Sequence, residues 1–317
     1  MTTVRYHQGH LDVGDNHHMY YECSGNPQGI PVLMLHGGPG AGLSPDYTDF
    51  FPLDAFHVIG FEQRGCGRST PHLSLTNNTT QHLLADIRRL REHLGINKWL
   101  LFGGSWGSTL ALLAALEEPD TISGLILRGI FLARQQDFDW FLTPQGGAAQ
   151  VYPDLYPTYI EGCPEATSIE DILQYYRSQF ADLTSEQAQL AAIKWYNWEE
   201  SIARVYPGPG YPTTLPAHPT VMSLAVLEWH YIAQQCFIPE NDILNRAGAL
   251  AHLPGIIIHG RCDTICKPEN ATALHERWPL SQLHLIDGAG HSSSEPAIKQ
   301  ALKNAVQHFR TLLRNTL

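Results

Sequence analysis

The sequence predicts an α/β fold, a doubly wound and mostly parallel sheet into which a helical segment is inserted. Three observations predict it. Short continuous apolar runs, bounded by turn residues, alternate with stretches of helical period. Runs of that kind fit strands buried on both faces of a parallel sheet. The alternation stops near Phe131, gives way to an aromatic, helical text, and resumes at Gly255. Strand–helix–strand repeats close into one sheet through right-handed crossovers.

Along the chain, residues 4–35 read as strands. Tyr20–Cys23 precedes a Gly25-Asn26-Pro27 turn, and Pro31–Leu35 is a buried run. Phe56–Phe61 is the next. Leu83, Leu84, Ile87, Leu90 and Leu94 then recur at helical spacing between residues 79 and 94, with Gly95 as the stop. Lys98–Phe102 reads as a strand, Ser108–Glu117 as a helix closed by Pro119, and Thr121–Gly129 gives one more strand about Gly124–Arg128. From Phe131 to Leu250 strand runs are few. Four of the seven tryptophans (Trp140, Trp195, Trp198, Trp229) and nine of the thirteen tyrosines fall there, and the Pro/Gly cluster Tyr206–Pro212 breaks it up. Gly255–Gly260 and Gln282–Ile286 restore the strand rhythm, and a final helix covers about Glu295 to Leu313. The parse is a catalytic core of residues 1–131 and 246–317, with 132–245 as a helical cap controlling substrate access.

Composition sets limits. The 317 residues carry 20 Lys+Arg against 31 Asp+Glu, a formal charge of −11. That sum disfavours nucleic acid, whose binding needs a cationic face. At about 150 residues per domain, the length suits one large domain or a core with an insertion. Six cysteines lie scattered, which fits a reducing compartment. Cys262 and Cys266 form the one close pair, without the second ligand pair a zinc site needs, so no metal is expected. Met1–Asp15 is polar and predicts no secretory leader. No apolar run approaches the roughly 18–20 residues that span a bilayer. The expected location is cytoplasmic, with no membrane partner.

The chemistry begins at Gly103-Gly104-Ser105-Trp106-Gly107. This G-x-S-x-G lies directly after a strand and directly before a helix. A tight strand-to-helix turn holds a nucleophile in a strained conformation, and flanking small residues let the backbone pass its neighbours. The helix N-terminus then faces the developing oxyanion. His36-Gly37-Gly38-Pro39-Gly40 follows another strand and predicts the second half of an oxyanion hole, Gly38 with the Trp106 N–H. A phosphate loop is disfavoured, since a Walker lysine and G-x-G-x-x-G are both lacking. An acid and then a histidine should follow in chain order. Asp263 lies just past strand Gly255–Gly260, and His291 lies in the glycine-rich loop after Gln282–Ile286. Asp287 is a rival acid, only four residues before the histidine. Glu62–Ser69, with two arginines, reads as a segment tying loops together beside the site.

With these segments in view, the chain resembles the proline iminopeptidases, serine aminopeptidases of the α/β-hydrolase fold. The likeness is carried by HGGPG at His36–Gly40, GGSWGSTLAL at Gly103–Leu112, RGIF at Arg128–Phe131, Trp195–Glu199, GRCD at Gly260–Asp263 and the GAGH ending at His291. One departure is Glu62, where the family carries Asp in its Asp-Gln-Arg-Gly. The resemblance implies a triad of Ser105, Asp263 and His291, and acidic cap residues Glu199 and Glu228 that receive a charged terminal amine. It also implies Phe131 and Cys266 as walls of a proline pocket. Trp195, Trp198 and Trp229 flank the two glutamates in sequence, where an aromatic setting would lower the effective dielectric. The expected function is release of N-terminal proline from short peptides through an acyl-enzyme, with no cofactor. The alternatives are a capped esterase, a broader aminopeptidase, or a non-catalytic binding protein on the same scaffold.

Overall fold

The structure is a computed structural model and describes residues 5–206 and 215–314. Its eight strands are β1 (Arg5–Gly14), β2 (His17–Gly25), β3 (Ile30–Leu35), β4 (Phe56–Phe61), β5 (Trp99–Ser105), β6 (Ile122–Ile130), β7 (Gly255–Gly260) and β8 (Ser281–Ile286). They form one sheet in the order β1-β2-β4-β3-β5-β6-β7-β8. The β1–β2 and β2–β4 pairs are antiparallel, and every other pair is parallel. Asp15 and Asn16 make the first hairpin turn with φ of 55° and 61°, a conformation these short polar side chains tolerate.

The side-chain alternation of a strand divides the core into two layers. Along β3, Leu33 and Leu35 face one side with Leu101, Leu125 and Leu127. Two helices cover that side, α1 (Thr80–His93) and α2 (Trp106–Glu117). Val32 and Met34 face the other side with Leu100, Phe102, Ile126 and Ile258. There they meet Ile298, Leu302, Val306 and Phe309 from the C-terminal helix Pro296–Arg314. The runs of β3, β4 and β7 are therefore buried on both faces, as their composition requires, whereas β8 at the sheet edge keeps Gln282 and His284 exposed.

Two boundaries differ from the sequence reading, for one reason. The strand read as ending at Phe102 runs on to Ser105, and the helix expected from Ser108 starts at Trp106. No loop separates them, because the whole reversal is made by Ser105 with φ 57° and ψ −127°. The strand read within Thr121–Gly129 forms as Ile122–Ile130.

Between β6 and β7 the described residues form α3 (Gln135–Leu142), α4 (Gly147–Val151), α5 (Tyr156–Tyr159), α6 (Ile169–Gln179), α7 (Glu186–Ile202), α8 (Pro219–Ala233) and α9 (Asp242–Arg246). The Pro/Gly cluster after Tyr206 lies outside the described residues, up to residue 214. α10 (Pro268–His275) follows β7, and the C-terminal helix is α11. No helix among the described residues is long and apolar enough to cross a membrane.

Candidate active site

Parallel strands deliver their C-terminal ends to one edge, and the site assembles there. Ser105 ends β5, Arg128 lies near the end of β6, Asp263 follows β7 and His291 follows β8. The elbow depends on bare backbone. A Cβ on Gly107 would lie 2.1 Å from the main-chain oxygen of Leu35. Any side chain there would push α2 off β3 and carry the nucleophile with it.

Asp263 and His291 are both buried, and His291 Nδ1 lies 2.7 Å from Asp263 Oδ2. The other carboxylate oxygen, Oδ1, accepts from the backbone N–H groups of Ile265 (3.0 Å) and Cys266 (2.9 Å). Burial by itself would raise the Asp263 carboxyl, but the bonded His291 and nearby His259 hold it below its usual value. The rival Asp287 is exposed and pairs with Arg261.

On its far side, His291 Nε2 lies 2.9 Å from Nη1 of Arg128, which also donates to the His291 main-chain oxygen at 3.0 Å. A guanidinium can only donate, so Nε2 is the accepting nitrogen and Nδ1 carries the proton given to Asp263. That is the tautomer a general base needs. Among the described residues no hydrogen bond joins Ser105 to His291; Ser105 and the buried Cys266 line the same pocket. Arg128 reaches the histidine by crossing Gly104, where a Cβ would sit 2.5 Å from Nη2. The sequence reading assigned Arg128 no separate role. Its partner lies 163 residues away, and no local signal marks it.

Ser105 lines two cavities. One is small and mostly apolar, and is walled by Phe131, Phe138, Phe141, Ile232 and Cys266, with Gly38 and Glu228 also on its surface. The other is a larger and more polar cleft that holds Arg128, Glu199, His291, Tyr47, Phe50 and Phe102. Phe138 and Phe141 were not singled out from sequence; on α3 they are one helical turn apart and face the same pocket.

Glu228 on α8 accepts from the indole N–H of Trp195 on α7 at 2.6 Å. Glu199 sits one turn after Trp195, on the same face of α7, close enough for the charge of Glu228 to act on it. Burial pushes Glu228 up to about 7, opposed by the bond from Trp195. Burial and the charges of Glu228 and Glu200 hold Glu199 well above the carboxylate range. Like charges brought together out of water favour a proton on one of the two carboxyls. Its aromatic setting differs from the sequence expectation. Trp195 touches a carboxylate, but Trp198 donates to Phe141 O and Trp229 to Leu173 O. Trp229 neighbours Glu228 in sequence and points away from it, towards α6 and Phe180.

The segment after β4 does tie loops together. Arg64 is buried in a two-bond pair with Asp86, at 2.7 and 2.8 Å. Glu62 accepts from the Arg68 main chain (2.5 Å) and guanidinium (2.9 and 3.0 Å). Its longer side chain is thus used within its own loop.

Comparison with known proteins gives the family of the chain. A family model described as alpha/beta hydrolase fold matches residues 30–297. A proline iminopeptidase of Xylella fastidiosa is 42% identical over 96% of this chain and 96% of its own. A protein of Leptolyngbya boryana named a probable proline iminopeptidase is 41% identical over 96% of this chain and 94% of its own. The chain belongs to the proline iminopeptidase family. Among solved structures, an esterase from Exiguobacterium antarcticum superposes with a TM-score of 0.63 at 19% identity, covering 94% of this chain and 98% of that one. At that identity the likeness speaks for the fold alone. The family assignment rests on near-full-length sequence similarity, and the six motif segments named above fall within its span.

Proposed function

We propose that the protein is a serine aminopeptidase that releases N-terminal proline from short peptides. One observation carries the reading beyond family membership: Ser105 lines both a small apolar pocket that holds Glu228 and a larger polar cleft that holds Glu199. The pyrrolidine ring fits the pocket of Phe131, Phe138, Phe141 and Cys266, and the charged amine meets Glu228 and Glu199. The rest of the peptide leaves along the cleft.

The cycle begins when the Ser105 hydroxyl replaces Arg128 as the donor to Nε2 of His291. Oγ then attacks the prolyl carbonyl as Nε2 takes its proton, and Asp263 stabilises the imidazolium. The N–H groups of Gly38 and Trp106 receive the oxyanion. His291 returns the proton to the departing amine, leaving a prolyl ester on Ser105. Water, deprotonated by the same histidine, releases free proline. Residues 132–245 act as the cap over the nucleophile and limit access to slender chains. A capped esterase would have no use for two glutamates drawn into the site from α7 and α8, whose desolvation is unfavourable.

The test is release of dye from a proline arylamide by purified protein, abolished in Ser105→Ala. A folded protein with no activity on any amino-terminal arylamide would sink the reading.

A further inference from the structure

The two proposed oxyanion donors come from different segments. Gly38 lies in the loop after β3, and Trp106 is the first residue of α2. A stabilising hole needs both N–H groups about 2.7–3.1 Å from one oxygen position, so their separation must be fixed by something that holds both segments.

One buried side chain bonds both. Gln63 follows β4 and is 1% exposed. Its Oε1 accepts from the indole N–H of Trp106 at 2.9 Å, and its Nε2 donates to the main-chain oxygen of His36 at 3.0 Å. The amide orientation is set chemically. Reversed, it would place NH₂ against an indole N–H and oxygen against a carbonyl. The Gln63 backbone adds a third tie, its N–H donating to Nε2 of His36 at 3.1 Å. That nitrogen is therefore the acceptor, and Nδ1–H of His36 donates to Gly37 O at 2.9 Å, one residue before Gly38. The imidazole pins the loop from within, and burial favours its neutral form.

We infer that Gln63 is a positioning residue for the oxyanion hole, clamping the Gly38 loop to Trp106 so that both N–H groups converge. It touches neither substrate nor Ser105. Its action runs through the His36 main chain and the Trp106 indole. The inference rests on the reading that Gly38 and Trp106 supply the hole, but it applies to acyl transfer from esters and amides alike.

The test compares wild type with Gln63→Met, which keeps the length and removes both bonds. With proline p-nitroanilide, kcat should fall about 10–100-fold, since misplacing a donor recovers part of the 10²–10³-fold seen when one is deleted. KM should change less than about threefold, a ground-state effect distinct from kcat. Inhibition by prolinal, whose adduct with Ser105 places an oxygen in the hole, should weaken by the same factor as kcat. Inhibition by prolinol, which forms no adduct, should not change. Equal weakening towards both inhibitors, or an unchanged kcat, would overturn the proposal. Gln63→Glu is the second variant. It keeps an acceptor for Trp106 and regains a donor to His36 O when protonated, so its kcat relative to wild type should rise as pH falls. A merely structural role predicts no such recovery. If wild type cleaves p-nitrophenyl acetate but no proline arylamide, the peptidase reading fails alone and the same kcat comparison on the ester decides Gln63. If neither variant folds, Gln63 is a folding residue and the proposal falls.

Discussion

Nη1 of Arg128 lies 2.9 Å from Nε2 of His291 and takes the lone pair that Ser105 needs. Arg128 is half-buried, and its Nε is buried with no hydrogen-bond partner, so the guanidinium is incompletely satisfied where it stands. Glu199 faces the same cleft, and its Oε2 is also buried without a partner. Arg128 and Glu199 thus each leave one polar atom unpaired in the cleft that His291 also lines.

Removing the guanidinium should separate its two effects. Arg128→Met leaves the His291 main-chain oxygen without a donor, which should cost about 1–3 kcal/mol in denaturant unfolding. It also frees Nε2 for Ser105. A small fluorophosphonate, which needs no amine site, should therefore label Ser105 faster in the variant than in wild type. Slower labelling would mean that Arg128 supports the imidazole more than it occupies it.

Asp263→Asn should lower kcat by about ten-thousand-fold while the protein stays folded. Two backbone N–H groups, of Ile265 and Cys266, hold Oδ1 as an acceptor. The asparagine oxygen must stay there, which turns its NH₂ towards Nδ1 of His291. That nitrogen then has to accept, the proton moves to Nε2, and the base is lost. Steady-state kinetics alongside a thermal melt would check both halves.

Substrate affinity should follow the ionisation of Glu228. The carboxyl, pushed up to about 7 by burial, is neutral at pH 5 and attracts a cation only above its titration. KM for a prolyl peptide should fall as pH rises from 5 to 8, until the substrate amine itself loses its proton. In Glu228→Gln this dependence should weaken markedly and kcat/KM should drop about 10–150-fold, the worth of a hydrogen bond to a charged group. A neutral ester should keep its KM. An unchanged peptide KM profile in the variant would remove Glu228 from amine recognition.

The same residue should set a stability cost. A carboxyl raised from the model-peptide range to about 7 favours the folded state below its unfolded value, and that advantage is lost as pH rises through 7. Glu228→Gln should therefore be more stable than wild type at pH 8, by on the order of 2–3 kcal/mol, and should lose that advantage by pH 5. Urea midpoints at the two pH values give the comparison.

Arg64 and Asp86 test the scaffold. Both side chains are buried, and Arg64 also donates to Asn77 O (2.8 Å) and Val13 O (3.1 Å). Arg64→Met should leave a buried carboxylate unpaired and cost about 3–5 kcal/mol. The midpoint of urea unfolding should shift, with its slope unchanged.

The sequence by itself determined what depends on neighbours along the chain. Apolar runs such as Pro31–Leu35 and Gly255–Gly260 became buried strands, since a strand's burial is written in its own residues. The Ser105 elbow was legible because a strand, a glycine-flanked serine and a helix adjoin in sequence. The order Ser105, Asp263, His291 followed from the strand ends. Tertiary structure alone decided which partner each side chain found. Trp195, not Trp229, meets Glu228, because the facing surfaces of α7 and α8 are fixed by packing and not by adjacency. Arg128 reaches His291 across 163 positions, and Gln63 joins two loops that share no local pattern. A hydrogen bond is short and directional, so it is specified by where segments cross in space, and a linear text does not record the crossing.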